Sequence, residues 1–372
     1  MIKMKLNIIP VLMYHSIKYK RKNSWIHKHL TLEVEEFVRH VKLFNFLGMK
    51  THFMDQLSDH IEGGKKLNAN SILLTFDDGY KDNWIFAYPI LKKYNLKGTI
   101  WVNPEFVDDN DDKLSPNLFD YWNGKVTLDE LNTNDGFLNW VEMREMEKSG
   151  LIEIQSHSMS HTKYPISDEI IDFVNPSTRI DWLHWNLFPN EKPFFFSNNK
   201  SKIPLGYPIF KSEKANVARK VTECGILSKK LTQHVKENGG EQFFNNLNWK
   251  EELYKITSKI RNENSNLFII ESESDYEERM KYELLGSKKI LENKLNKKIN
   301  HICWPFGGWD SKSIQLSRKF GYRSSTAKGI KNNFNKRESH RVDRFAIDNL
   351  KYQNYLFYPY AIWKILKHKF GS

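Results

Sequence analysis

The apolar positions of this chain follow two periods. Residues 8–14 form a short apolar run of strand type. From Val34 the period lengthens: Val34, Phe37, Val41 and Phe44 recur at helical spacing, with Thr31 placed to cap the helix and Gly48 to end it. Ile72, Leu73 and Leu74 then make the continuous run expected of a strand covered on both faces. Trp84, Ala87, Leu91 and Tyr94 lie on one face of a predicted helix closed near Gly98. Residues 139–149 read as a further helix, and Leu151–Gln155 as a further strand. Strands that alternate with helices imply an α/β fold with a parallel sheet.

Other stretches are less regular. Residues 108–136 are rich in Asp and Asn and read as a loop; the run Asp108–Asp112 lacks the ordered ligand spacing of a calcium site. Residues 166–274 are too long for a structureless loop. Helical patterns at 212–236 and 249–262 predict a folded insertion, which also carries Ile203–Phe210 and the aromatics Trp182, Trp185 and Phe194–Phe196. A helix at about 274–296 follows.

The candidate chemistry sits where apolar strands end. Asp77 and Asp78 follow the Ile72–Leu74 run, and Gly79 allows a sharp turn. The C-terminal ends of parallel strands are where α/β folds place their chemistry. One aspartate there can bind a metal while the other takes a proton. His157 and His161 follow the Leu151–Gln155 run; four apart, they would share one face of a helical turn. Two His and one Asp leave open positions on a divalent ion, the pattern of a catalytic site.

With these residues in view, the sequence resembles the polysaccharide deacetylases of carbohydrate esterase family 4, the NodB-homology domain. Thr75-Phe76-Asp77-Asp78-Gly79 is similar to the first family motif, and His157-Ser158-Met159-Ser160-His161 to the second. Cys303-Trp304-Pro305-Phe306-Gly307 resembles the third, and Val11-Leu12-Met13-Tyr14-His15 the opening of the poly-N-acetylglucosamine deacetylase-like branch. Gly98–Val102 looks like the next barrel strand, and the likeness spans about residues 8–165 and 275–350. It implies a distorted (β/α) barrel made by residues 1–165 and 275–350, with the large, partly helical insertion 166–274 after the second motif and a basic aromatic tail at 351–372.

The resemblance assigns roles. Asp77 would be the catalytic base, Asp78, His157 and His161 the metal ligands, and His15 the general acid. The backbone N–H of Phe306 would help hold an oxyanion. Tyr14, Tyr80, Trp304 and Pro305 are expected to contact substrate. Cys303 stands where the family has an arginine that orients the base, and Arg341 or Arg344 could replace it. The implied cofactor is one divalent metal, Zn²⁺ foremost, with Co²⁺, Ni²⁺ and Mn²⁺ as alternatives. The implied activity is removal of N-acetyl groups from an amino sugar in a surface glycan or its lipid- or nucleotide-linked precursor. An O-acetyl esterase and a non-catalytic glycan-binding protein on a degenerate fold are the alternatives, as is a basic peripheral membrane protein.

Charge narrows the partners. The net charge of +12 favours anionic partners. No nucleic-acid motif accompanies it, so nucleic acid is not expected; the N-acetylated carbohydrate partner is what the resemblance implies. Phe357–Phe370 alternates aromatic and aliphatic residues with Lys, which suits either an interfacial helix on an anionic membrane or a helix docked on the core; His368 reads as solvated. The first thirteen residues read as the first barrel strand and not as a leader, and Cys224 and Cys303 have no metal-ligand spacing. The expected location is cytoplasmic, with peripheral contact at the inner face of the membrane or with a lipid-linked sugar.

Overall fold

The computed structural model describes residues 8–19, 28–110, 112–197, 202–330, 337–347 and 357–370. In chain order its strands are β1 (Val11–Tyr14), β2 (Ser16–Lys18), β3 (Thr31–Glu33), β4 (Lys50–Thr51), β5 (Ser71–Phe76), β6 (Gly98–Val102), β7 (Ile152–Ser156), β8 (Lys163–Phe173), β9 (Pro208–Lys214), β10 (Val221–Glu223), β11 (Phe268–Ile270), β12 (His301–Cys303), β13 (Ser324–Lys328) and β14 (Val342–Arg344). The main sheet runs β1-β5-β6-β7-β12-β13-β14, with β4 beside β5, and its pairings are parallel. Past β14 the chain returns to β1. Leu12 bridges Phe345, the Met13 N–H donates to the Phe345 carbonyl at 2.9 Å, and the Phe345 N–H donates to the Val11 carbonyl at 3.1 Å. The sheet is thereby nearly closed into the expected (β/α) barrel.

Alternation along each strand divides the core in two. Val11, Leu73, Trp101, Cys303 and Val342 pack together inside the barrel, with Met54, Leu57 and Ile61 of the helix Met54–Glu62 against them. Their strand neighbours Leu12, Leu74, Ile100, Ile302 and Trp304 point outward into the layer between barrel and helices. Gly98 opens β6 because a side chain there would crowd Phe76 and Leu91, at 3.1 and 3.2 Å.

Several local expectations are corrected. Thr31 does not cap the first helix; it pairs with Ser16 in β3, and Glu33 precedes the helix Val34–Phe46. The helix over Trp84 begins as a π-helical turn, Asn83–Ala87, before Tyr88–Lys93. The stretch 108–136 holds two short helices, Leu118–Trp122 and Leu128–Thr133, each with a capping box that its Asp and Asn content disguised as loop. Residues 212–236 are not one helix: β9 ends and β10 intervenes before Ile226–Glu237. Asp111, residues 1–7 and the side chain of His368 lie outside the described residues.

The region after the second motif has its own apolar cluster. β8 pairs antiparallel with β9, and β10 with β11. Phe173, Phe210, Leu227, Leu231, Leu253 and Ile260 bury against one another. The helix Phe357–Phe370 docks on the main core through Ala361 and Ile365, four apart, while Trp363 stays 51 % exposed.

Behind β1, the Tyr14 hydroxyl lies 3.0 Å from His40 Nδ1, and both side chains are buried. Burial, reinforced by Arg39, pulls the His40 pKa down to about 3. Unfolded, His40 would take a proton near its usual value of about 6.5. Between these values the unfolded chain binds more protons, so stability falls with acidification below about 6.5 and this contribution levels off near 3. Denaturant titrations between pH 6 and 4 should show a shallower decline for His40→Gln, by up to about 1.4 kcal/mol per pH unit.

Candidate active site

The inward face of the barrel ends in polar groups. Leu73, Thr75 and Asp77 alternate inward along β5 and its exit, and Val342 and Arg344 do so on β14. Asp77 is 3 % exposed and Arg344 also 3 %. The guanidinium grips the carboxylate at both oxygens: Nη1 donates to Oδ1 at 2.6 Å and Nη2 to Oδ2 at 2.9 Å. Nη1 also donates to Thr75 Oγ1 at 3.2 Å, and Nη2 reaches Cys303 Sγ at 2.8 Å. Burial alone would raise the Asp77 pKa; Arg344 and then His15 outweigh it, so the carboxyl stays below its usual range. Burial pushes the Cys303 thiol well up, which keeps it neutral. Arg341 is elsewhere, its guanidinium 5.4 Å from the Trp309 ring, so of the two arginines it is Arg344 that holds Asp77.

Asp78 turns the chain away. Its φ is 72°, followed by Gly79 at 65°. Its Oδ1 lies 3.2 Å from His157 Nε2 and 3.0 Å from His161 Nε2. His157 Nδ1 is 2.9 Å from the Cys303 carbonyl. A carbonyl only accepts, so Nδ1 carries the proton and the neutral ring presents a lone pair at Nε2. Asp78 Oδ1 is buried with no hydrogen-bond partner among the described residues. Burial would raise the Asp78 pKa, yet His161 and His157 hold it well below the usual range. One carboxylate oxygen and two imidazole nitrogens that converge in this way are a donor set that suits a divalent cation.

The two histidines do not share a helical turn, contrary to the spacing argument. They flank a loop in which Ser158 and His161 have φ of 65° and 44°. Of the seven non-glycine residues with positive φ among those described, four are Asp78, Ser158, His161 and Phe306. Strain is therefore concentrated here, and something must hold it. That anchor is Glu283, which is fully buried in a π-helical turn, Tyr282–Gly286, within the long helix of residues 273–295. Its carboxylate accepts from Ser158 Oγ at 2.6 Å, from the N–H groups of Met159 and Ser160 at 3.2 and 3.1 Å, and from Ser160 Oγ. Asn103 holds the carbonyls of His157 and Ser158 from the other side. Sequence reasoning missed both residues, because neither stands in a motif.

The remaining expected residues separate by strand parity. His15 faces inward, its Nε2 3.7 Å from Asp77 Oδ2. Burial lowers its pKa, opposed by Asp77 and Asp78. Tyr14, one residue earlier, faces outward and stacks on Phe76 in the core, so it is not placed to contact substrate. Trp304, next to inward Cys303, is 1 % exposed in the outer layer, and Pro305 is buried; neither lines the cavity over the site. Phe306 does, 42 % exposed and with its ring 4.3 Å from that of His161. Tyr80 lines it too, stacked on Phe137. The cavity, about 250 Å³, is walled further by Phe106, Trp182 and Trp185, and includes Asp78 and His161; Asp77 and His15 do not line it directly.

A second Asp-Glu-His group, Asp55, Glu153 and His301, lies near the N-terminal ends of β7 and β12. It is closed on itself. His301 bonds Asp55 at 2.9 Å and Ser324 at 2.7 Å, and Glu153 accepts from Thr99, Met54 and Gln155. These hydrogen bonds tie the helix Met54–Glu62 to strands β6, β7, β12 and β13 at this end of the barrel.

Residues 64–180, which hold Asp77, Asp78, His157 and His161, match the sequence model of the family described as Polysaccharide deacetylase. The chain carries a polysaccharide deacetylase domain. It is 40 % identical over 153 residues to a Bacillus subtilis protein, YxkH, that is named as a polysaccharide deacetylase; the match covers 41 % of this chain and 43 % of that one. It is 31 % identical over 104 residues to the poly-beta-1,6-N-acetyl-D-glucosamine N-deacetylase of Escherichia coli K12, covering 28 % and 14 %. The matched segment thus spans less than half the length of either relative. In structure, the de-N-acetylase of Aggregatibacter actinomycetemcomitans aligns at a TM-score of 0.56 and 20 % identity, over 92 % of this chain and 97 % of that one. The BpsB deacetylase domain of Bordetella bronchiseptica aligns at 0.52 and 17 %, over 91 % and 96 %. At these identities the likeness is one of fold.

Two predictions follow for the deacetylase domain. Arg344→Met strands a buried carboxylate and should cost about 3–5 kcal/mol in denaturant titration. Glu283→Gln frees the strained loop and should weaken divalent-metal affinity about 10–100-fold, read by competition with a chromogenic chelator.

Proposed function

We propose that this protein is a metal-dependent hydrolase that removes N-acetyl groups from an amino sugar of a surface glycan or its lipid- or nucleotide-linked precursor, releasing acetate. The observation that carries the reading is the convergence of Asp78 Oδ1 with the Nε2 atoms of His157 and His161, beside a carboxylate already held by Arg344. Asp78, His157 and His161 would hold the ion; Zn²⁺ suits two imidazoles and a carboxylate best, and Co²⁺, Ni²⁺ or Mn²⁺ could take the same donors. When bound, such an ion polarises a carbonyl and lowers the pKa of water.

The chain's own groups supply the rest. Asp77 accepts the proton of the attacking water, and the bidentate guanidinium of Arg344 fixes the carboxylate's orientation and keeps it ionised. The Phe306 backbone N–H donates to the oxyanion as it forms. His15 gives a proton to the departing amine. Tyr80, Phe137, Trp182 and Trp185 offer apolar faces to the sugar ring and keep bulk water out. No helix among the described residues is long and apolar enough to cross a membrane. The helix Phe357–Phe370, with Trp363 and Leu366 exposed, is the surface we propose for contact with an anionic membrane or a lipid-linked sugar, from the cytoplasmic side.

The first test is elemental analysis. About one divalent ion per chain is expected, lost in the double variant His157→Ala, His161→Ala; no bound ion after Zn²⁺ or Co²⁺ is supplied would sink the proposal. Acetate release from N- and O-acetylated sugars then separates the amidase from the esterase, and Asp77→Asn should lower the rate about 10²–10⁴-fold.

A further inference from the structure

His15 stands at a junction. β1 ends at Tyr14 in the barrel sheet, and β2 begins at Ser16 in a separate two-stranded sheet with β3. His15 is the single residue between them, outside both ladders. Other bonds must therefore fix the backbone from which its imidazole projects.

Those bonds come from one short segment, residues 77–83. The Asp77 N–H donates to the Tyr14 carbonyl at 2.9 Å. Asn83 Nδ2 donates to the His15 carbonyl, also at 2.9 Å. Asp82 takes the next two residues: Oδ2 accepts from Ser16 Oγ at 2.6 Å and Oδ1 from the Ile17 N–H at 3.1 Å. Asn83 Nδ2 donates to Asp82 Oδ1 as well, at 3.0 Å, which joins the two side chains. Both are buried, where such bonds are strong and costly to break. At the far end of β2, buried Lys18 donates to the Asn132 carbonyl at 3.3 Å and pairs with Asp135.

Neither Asp82 nor Asn83 lines the active cavity, so neither is placed to meet substrate. What they hold is the path of residues 15–17. The turn that begins at Asp77 thus also grips the residue whose Nε2 faces Asp77 at 3.7 Å. Base and acid are carried by one frame.

We propose that Asp82 and Asn83 are positioning residues for the general acid. They fix His15 relative to Asp77, so that its proton passes to the amine nitrogen as the C–N bond breaks. The inference rests on the deacetylase reading and on His15 as its acid.

The test is a set of double-variant cycles on the metal-loaded protein. Acetate release from β-1,4- and β-1,6-linked N-acetylglucosamine tetramers is measured for the wild type, Asp82→Asn, Asn83→Ala, His15→Ala and the two doubles with His15→Ala. Each positioning variant should lower kcat about 10–100-fold, the cost of a small misplacement. His15→Ala should lower it about 10²–10⁴-fold. In the His15→Ala background neither substitution should lower kcat further, because a residue that acts only through His15 has nothing left to act on. Zn²⁺ affinity should stay at the wild-type value, and thermal melts confirm folding. Ser16→Ala, which cuts one bond of the clamp, replaces either variant that fails to fold. Losses that multiply in the doubles, losses matched by weaker Zn²⁺ binding, or a His15→Ala variant with the wild-type rate each overturn the proposal. If the wild type cleaves neither tetramer, the deacetylase reading falls for these sugars, and NMR of isotope-labelled histidine decides the clamp. Ring signals of His15, assigned by their loss in His15→Ala, should then shift in both positioning variants while those of His157 and His161 stay. Unmoved His15 signals end the proposal.

Discussion

A parallel strand can show only every second residue to the inside of a barrel, and this constraint arranges everything at the site. His15, Asp77, His157, Cys303 and Arg344 come from five strand ends and meet because each has inward parity. The apolar residues below them, Leu73, Trp101 and Val342, have the same parity and form the floor. A shift of one residue in any of these strands would exchange a functional group for a core residue. The same rule sends Tyr14 and Trp304 outward, where large rings fill the layer beneath the helices.

Inside so closed a space, charge must be matched at short range. Asp77 and Arg344 are both almost fully buried, and each would be costly alone. Asp78 is buried too, but its neighbours are imidazoles, of which His157 is committed as a donor to the Cys303 carbonyl. The two aspartates are therefore unlike despite being adjacent. One is neutralised by a permanent cation within the fold; the other is left with an oxygen that has no hydrogen-bond partner among the described residues. Keeping that second site open requires a backbone path that would otherwise relax, and Glu283 spends both carboxylate oxygens on holding it.

How much of this was legible in the sequence depends on range. The Asp77-Asp78 pair and the two histidines could be read because each follows its strand directly. The choice between Arg341 and Arg344 was also readable in principle: three apart in an extended run, they have opposite parity, so only one could join Val342 in facing Asp77. The same parity, counted from His15 and Cys303, would have removed Tyr14 and Trp304 from the substrate-contacting group. Glu283 carried no such signal. It acts on residues more than a hundred positions away, from inside an ordinary-looking helix, and the left-handed turn at Ser158 that it stabilises is not announced by a glycine. The capping boxes at Asn117 and Thr127 were readable but hidden by a composition typical of loops.

Cys303 ties these points together. It stands in the third motif where the resemblance leads one to expect an arginine that orients the base. In the structure the guanidinium arrives instead from β14, two strands away, and meets the same aspartate. The exchange is sterically coupled. Cys303 points inward with a short side chain, and Arg344 Nη2 lies 2.8 Å from its sulfur, in space that a longer residue at 303 would occupy. Burying the Arg344 charge without a partner would be costly, and the Asp77 carboxylate is that partner. The small residue at 303 and the arginine at 344 thus fit one another in the same space. The pair keeps Asp77 ionised and fixed in place by a different route.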